Sequence, residues 1–309
     1  MDKECFRSLT SRSLRFGNFD YGGKSDEQIY NDSSVVVVGV PYDGTATYMG
    51  GGKYGPEAVL SASVNLETFD EVYGNIYDVG VATAGIINLE DINSVPERIA
   101  ERVYTVCRSF IADDKFVVAI GGEHSITLGV VKAYNEKLGD LSVLQLDAHL
   151  DLFDTYGGSK YNHACVMRRV RDDCGCMVTH VGTRVVAEDE YNYIKQSNCE
   201  TNIFRASETY NNSNWFDKAI DSLNENVYIT VDVDVFNPAL MPATGTPVPG
   251  GLDWYVVLDF LRNVYMKKRV VGFDVTELKP NPGNEAPNFL VADLVYKNIG
   301  FYKKYVLKR

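Results

Sequence analysis

A chain of 309 residues, 45% hydrophobic and 23% charged, has the make-up of a globular protein and is long enough to bury a large core without disulfide or metal staples. Its net charge of −12 and pI near 4.9 argue against a nucleic-acid or anionic-membrane surface and leave room for a small cationic substrate. No run approaches the roughly 20 apolar residues of a membrane span, and the start, MDKECFRSLTSRS, lacks the apolar core of a signal peptide.

Residues 1–32 are polar and aromatic with no clear period, and read as an N-terminal arm laid on a domain that spans 33–309. SVVVVGVPYDG (34–44) is the first strong strand pattern, ending in a turn at Pro41-Tyr42-Asp43-Gly44. The glycine-rich GTATYMGGGKYGPEAVL (44–60) fails the phosphate-loop pattern because Tyr54 follows Lys53. Pro56 marks a strand-to-helix connection there instead. A weaker strand, followed by a loop, is expected over NIYDVGVA (75–82). Pro96 opens a helix in which Ile99, Val103, Val106 and Phe110 recur at helical spacing. FVVAIGG (116–122) is a strand, Glu123-His124-Ser125 follows its end, and the next helix closes at Gly139. LSVLQL (141–146) is an apolar run of the kind buried on both faces of a parallel sheet, and it breaks at once into Asp147, His149 and Asp151.

A polar loop, DLFDTYGGSKY (151–161), leads to Asn162-His163 and a short helix. MVTHVGTR (177–184) is a strand with His180 inside it, where a structural role is expected. Just before it, Cys174-Gly175-Cys176 is too tightly spaced for zinc; the six cysteines show no regular framework and suit reduced thiols in a cytoplasmic protein. AEDEYNYIKQ, NIFRA and WFDKAIDSLN read as helix, strand and helix. VYITVDVDVF (227–236) is a strand that again breaks into acids, Asp232 and Asp234. A loop dense in Pro and Gly (237–251), a helix, a last strand (269–278) ending at Glu277 and an amphipathic closing helix complete the chain. Strands and helices alternate without a composition break. A single-domain three-layer αβα fold around a mainly parallel sheet of about eight strands follows.

Four strands thus end in His124; in Asp147, His149 and Asp151; in Asp232 and Asp234; and in Glu277. Parallel strands deliver their carboxyl ends to one side of a sheet, so residues distant in sequence meet there. Two imidazoles and four carboxylates, with no thiolate, suit a pair of hard-to-borderline divalent ions such as Mn²⁺ better than structural zinc. Such a pair lowers the pKa of a shared water toward neutrality. Side-chain alternation in 147–151 and 231–235 would aim the ligands one way and the valines the other, provided that the backbone stays extended.

Gly121-Gly122-Glu123-His124-Ser125, Asp147-Ala148-His149-Leu150-Asp151, and Asp232-Val233-Asp234 with Thr244-Gly245-Thr246-Pro247 and Pro249-Gly250-Gly251 together resemble the ureohydrolase family, the arginases, agmatinases and their relatives, in order and spacing. The resemblance implies an arginase-like fold, a trimer or hexamer, and a binuclear manganese site. His124 and Asp151 would bind one ion and His149 and Asp234 the other, with Asp147 and Asp232 touching both. It further implies that a metal-bridging hydroxide attacks the guanidinium carbon, releasing urea and an amine. Glu277 matches the family's guanidinium-pairing acid, and His163, in Asn162-His163-Ala164, the histidine assigned to proton transfer. A carboxylate is the natural partner for a planar cation, and a near-neutral imidazole suits proton delivery.

Arginases follow Asp-x-His-x-Asp with a Ser/Asn/Gly-rich loop that holds the amino acid's carboxylate and amine. Residues 152–161 lack that arrangement and look like the agmatinase-type loop, in which an acid and an aromatic precede the His-Ala segment. Asp154 and Tyr156 are the expected contacts to a cationic tail. Val248, where Glu is common, and Asn162, where Ser is common, depart from that pattern and bear on substrate alone. The expected activity is agmatine and water to putrescine and urea, with Co²⁺ or Fe²⁺ as other candidate ions. Arginase, guanidinobutyrase or another guanidino-acid hydrolase are the alternatives, and a non-catalytic metal-binding relative a further one.

Overall fold

The computed structural model describes residues 9, 14–209 and 214–307. Its sheet contains β1 (Val35–Val40), β4 (Val81–Ile86), β5 (Phe116–Gly121), β6 (Leu141–Leu146), β7 (Met177–Thr183), β8 (Ile203–Arg205), β9 (Asn226–Asp232) and β10 (Arg269–Thr276). All eight pair parallel, in the order β4-β1-β5-β10-β9-β6-β7-β8. A two-stranded ribbon, β2 (Phe69–Asp70) and β3 (Gly74–Asn75), stands apart.

Both faces of the sheet are covered, which is why its strands read as continuous apolar runs. Val35, Val37, Val118, Ile120, Leu144, Leu146, Ile229 and Val231 meet one set of helices: α2 (Gly55–Ser63), α8 (Trp215–Asp221), α9 (Trp254–Lys267) and α10 (Ala286–Phe301). Their neighbours Val36, Val38, Val117, Ala119, Val143 and Tyr228 meet the other: α3 (Pro96–Ala112), α4 (Thr127–Leu138), α5 (Val166–Asp172) and α6 (Glu188–Ser197). A short α7 (Ala206–Thr209) follows β8. The result is a three-layer αβα domain.

Residues 1–8 and 10–13 of the expected arm lie outside the described residues. The rest of the arm is packed down. Phe16 is fully buried, and α1 (Asp26–Asp32) is closed by a reciprocal cap between Ser25 and Gln28. The strand expected over 75–82 is displaced. Ile76–Val79 form a 3₁₀ turn, Gly80 reverses the chain at φ +75°, and the pairing strand is β4 beyond it. A Cβ at Gly80 would lie 2.6 Å from Ser33 Cα, so the turn also needs the close approach that glycine allows.

Candidate metal centre

The four strands that carry acids or histidines at their ends, β5, β10, β9 and β6, are contiguous in the middle of the sheet. Their carboxyl ends therefore open into one cavity of about 280 Å³, lined by His124, His149, Asp151, His163, Asp232 and Glu277 among others. Asp147 is buried beneath it.

Within this cluster His124 Nδ1 lies 2.9 Å from Asp151 Oδ2, 3.0 Å from Asp147 Oδ2 and 3.7 Å from Asp232 Oδ2. His149 Nδ1 lies 3.0 Å from Asp234 Oδ2 and 3.5 Å from the other oxygen of Asp147, Oδ1. Asp147 thus serves both halves, one oxygen each. His124, Asp147 and Asp232 form one group with metal-ligand spacing, and Asp147, His149 and Asp234 a second. His124 Nδ1 is buried yet makes no hydrogen bond, although two carboxylate oxygens stand close by. Such an atom suits a set of donors arranged around a cation. Charge points the same way: with neutral imidazoles, two divalent ions would balance the four carboxylates of Asp147, Asp151, Asp232 and Asp234, which are otherwise buried together.

The backbone that aims these groups is not extended, which corrects the alternation argument. β6 ends at Leu146 and β9 at Asp232. Asp147 Oδ1 then accepts the His149 amide at 2.6 Å, and Asp232 Oδ1 accepts the Asp234 amide at 2.9 Å. Both Asp-x-His and Asp-x-Asp are Asx turns, in which the first acid's side chain folds the next two residues back. The two turns are tied together where Ala148 N donates to Asp234 Oδ1 at 2.9 Å. Asp151 and Glu277 adopt left-handed φ of +55° and +65°, a conformation that costs a side-chain-bearing residue roughly 1–2 kcal/mol. Strain sits on one acid of the cluster and on the acid beside it.

Glu277 Oε1 accepts the His124 amide at 2.7 Å, and burial and the nearby Glu123 push its pKa up to about 8. Among the cluster acids, burial and the charge of Asp147 raise Asp151 to about 7. Burial opposes protonation of His149, but Asp147 and Asp234 outweigh it and carry the ring up to about 12. His163 goes the other way, down to about 4, through burial and the positive charge of His124 and His149.

Supporting residues were less visible in the sequence. His124 Nε2 meets Thr230 Oγ1 at 2.8 Å; Thr230 donates to Asp274 Oδ1 at 2.6 Å, and Tyr228 donates to Asp274 Oδ2 at 2.7 Å. On the other side Gln145 Nε2 donates to Asp147 Oδ2 at 2.7 Å and its carbonyl takes the Nδ1–H of His180. Arg184 clamps the Pro/Gly loop by donating to the carbonyls of Asp234 (2.6 Å), Val248 (3.0 Å) and Pro249 (3.2 Å). Val248 therefore acts there through its backbone. Period-2 alternation within β6, β7 and β9 is the signal that could have found Gln145, His180 and Thr230, because each is a polar residue inside an apolar run.

Tyr156 and Phe153 line the cavity, but Asp154 is not brought to it: its side chain is 70% exposed and pairs with Arg169 Nη2 at 2.6 Å. Glu190, Val185 and Ala187 also line the cavity, unforeseen. Among the described residues no lysine or arginine lines this cavity.

Residues 33–300 match the model of the arginase family. The chain belongs to the arginase family. Within that family it is 42% identical over 281 residues to the N(1)-aminopropylagmatine ureohydrolase of Synechocystis sp., which covers 88% of this chain and 90% of the relative. It is 36% identical to the agmatinase of Pyrococcus horikoshii, over 87% of this chain and 92% of that one. Among solved structures, the agmatine ureohydrolase of Thermoplasma volcanium superposes with a TM-score of 0.82 at 32% identity, covering 98% of each chain. The architecture is thus that of the arginase-like fold.

Proposed function

We propose that this chain is a binuclear-metal hydrolase that releases urea from a cationic guanidino substrate, with agmatine, giving putrescine, as the first reading. The observation that carries it is the cavity itself. Two three-residue ligand groups and Glu277 meet at its floor, and among the described residues no lysine or arginine lines it to greet a carboxylate. Arginine and guanidino acids fit such walls poorly. Residues 33–309 are read as the catalytic domain and 1–32 as an arm.

His124 and Asp151 would hold one ion, His149 and Asp234 the other, and Asp147 and Asp232 both. Divalent ions at these positions, Mn²⁺ first and Co²⁺ or Fe²⁺ as substitutes, supply the Lewis acidity that makes water a nucleophile near neutral pH. Glu277 orients the guanidinium: Oε1 is partly committed to the His124 amide, leaving Oε2 and a lone pair on Oε1 for two N–H groups. A bound guanidinium would favour its charged form. His163 delivers a proton to the departing amine nitrogen. Phe153, Tyr156, Val185 and Ala187 shelter the methylene chain from water.

A second reading, N(1)-aminopropylagmatine, is favoured by the relative at 42% identity that bears that name and by an aromatic rim, where Tyr48 is 75% exposed beside the cavity. The assay that separates these readings is urea release with Mn²⁺ across agmatine, N(1)-aminopropylagmatine, arginine and guanidinobutyrate. Preference for arginine would overturn the proposal. No helix among the described residues is long and apolar enough to cross a membrane. A cytoplasmic trimer or hexamer is the assembly read here, to be checked by light scattering.

A further inference from the structure

Above the cluster a second set of polar contacts runs sideways and is not needed to hold an ion. Glu123 is buried, and three donors converge on its carboxylate: Thr45 N–H on Oε2 at 2.7 Å, and the Thr45 and Ser125 hydroxyls on Oε1 at 2.6 and 2.5 Å. An amide can only donate, and the Thr45 hydroxyl stands beside it as a second donor to the same carboxyl group. The single hydroxyl proton of Thr45 is therefore committed to Glu123.

Thr45 Oγ1 then has lone pairs to offer, and His163 takes both. The His163 amide donates to it at 3.1 Å, and His163 Nδ1 stands 3.3 Å away. An oxygen that has already given its proton elsewhere can act toward Nδ1 only as an acceptor. The loop that carries Thr45 is pinned at both ends of this contact. Asn162 Nδ2 donates to Thr45 O at 3.4 Å, while Asn162 Oδ1 caps the Ala164 amide at 3.0 Å. On the other side Glu123 N donates to Tyr42 O at 2.7 Å, and Gly122 lies so close that a Cβ there would sit 2.0 Å from the same oxygen.

We propose that Thr45 and Glu123 are positioning residues that hold His163 as the Nδ1–H tautomer, so that Nε2 is the nitrogen that takes up and returns the proton. A ring's working nitrogen is set by the hydrogen bond that its other nitrogen makes. Without Thr45 the ring could rotate or exchange its proton, and the lone pair would be lost from the cavity side for part of the time. The inference rests on the proton-transfer role proposed for His163, but its physical content, the tautomer, can be read without turnover.

The test uses the full chain loaded with diamagnetic Zn²⁺ and labelled with ¹⁵N-histidine, in solid-state NMR. There are four histidines in the sequence, and the spectrum of His163→Asn identifies the His163 ring by its disappearance. The expected result is a protonated Nδ1 and an unprotonated Nε2 in the native chain. Thr45→Val should shift that ring toward the other tautomer and lower kcat with Mn²⁺ about a hundredfold, the lower end of what a positioned acid–base group contributes. KM should change less than about twofold, and Thr45→Ser should restore both spectrum and kcat. A native His163 protonated on Nε2, or an unchanged pattern in Thr45→Val, overturns the proposal. Should Thr45→Val fail to fold, the native and Thr45→Ser spectra decide alone. Full activity in His163→Asn would overturn the role of His163 itself, while the tautomer assignment would still stand or fall on the spectrum.

Discussion

The floor of the cavity and its rim obey different rules. On the floor four of the six candidate ligands are held by another group: the amide of His149 and the Gln145 side chain on Asp147, the amide of Asp234 on Asp232, the amide of Ala148 on Asp234, and Thr230 on His124. At the rim the loop 152–161 is mostly exposed, Asp154 answers to Arg169, and Tyr156 makes ring contacts with Phe153 and His163. The floor is built for one arrangement and the rim tolerates several. Chemistry and substrate length therefore sit on separable parts of the molecule, and substitutions should divide accordingly.

The sharpest break of that contrast would be at the shared acids. Asp232→Ala should cut urea release by on the order of 10³-fold or more, with helix content by circular dichroism retained and bound metal falling in elemental analysis. An active, metal-replete variant would remove Asp232 from the site. Next, Thr230→Val cuts the string from His124 to Asp274. We expect one divalent ion to bind roughly 10–100-fold more weakly by calorimetry, with the other little changed.

A third effect concerns acid stability. His180 is fully buried next to Gln145, and burial depresses its pKa to about 3 in the folded chain, against about 6.5 for a free imidazole. Between those values the unfolded state binds the extra proton. His180 thus contributes stability above pH ~6.5 that is lost progressively as pH falls toward 3. Denaturation midpoints for His180→Asn should show a shallower fall across that window than the native chain, and parallel curves would contradict it. At the rim, effects should be small. Tyr156→Ala should raise KM about three- to tenfold with kcat near native, as expected for loss of uniform binding. Asp154→Asn should change KM less than about twofold, since its side chain is turned to Arg169 and does not line the cavity. A large kcat loss from either would erase the division between floor and rim.

Sequence reasoning reached the floor because strand ends are punctuated there. LSVLQL and NVYITV are apolar runs cut off by acids, and a parallel sheet forces such ends together. It misjudged the local geometry at those ends, since Asx turns and extended alternation give the same spacing of two and differ only in which amide the first acid accepts. The strand at 81–86 escaped because VATAGI is poor in large apolar residues, while the preceding NIYDV carried the stronger pattern. Ser25 and Gln28 are a capping box plain in the sequence of the arm, overlooked because no apolar period followed. The rim was least legible. Whether Asp154 reaches a substrate or Arg169 depends on where α5 places that arginine, a tertiary fact with no local signature.

The contiguity of β5, β10, β9 and β6 has a consequence for how the chain acquires its ions. The donors are spread from residue 124 to residue 234, and no pair of neighbouring strands in the sequence brings both three-residue groups together. A chain emerging from the ribosome cannot assemble either group until β9 has slotted between β6 and the place of β10. Uptake of the proposed ions would then be a late, all-or-nothing report on sheet completion. Once bound at about a hundred times its Kd, each ion would add about 2.7 kcal/mol to the finished fold. The ions would lock the sheet at its centre, leaving the outer strands β4 and β8 free to fray first.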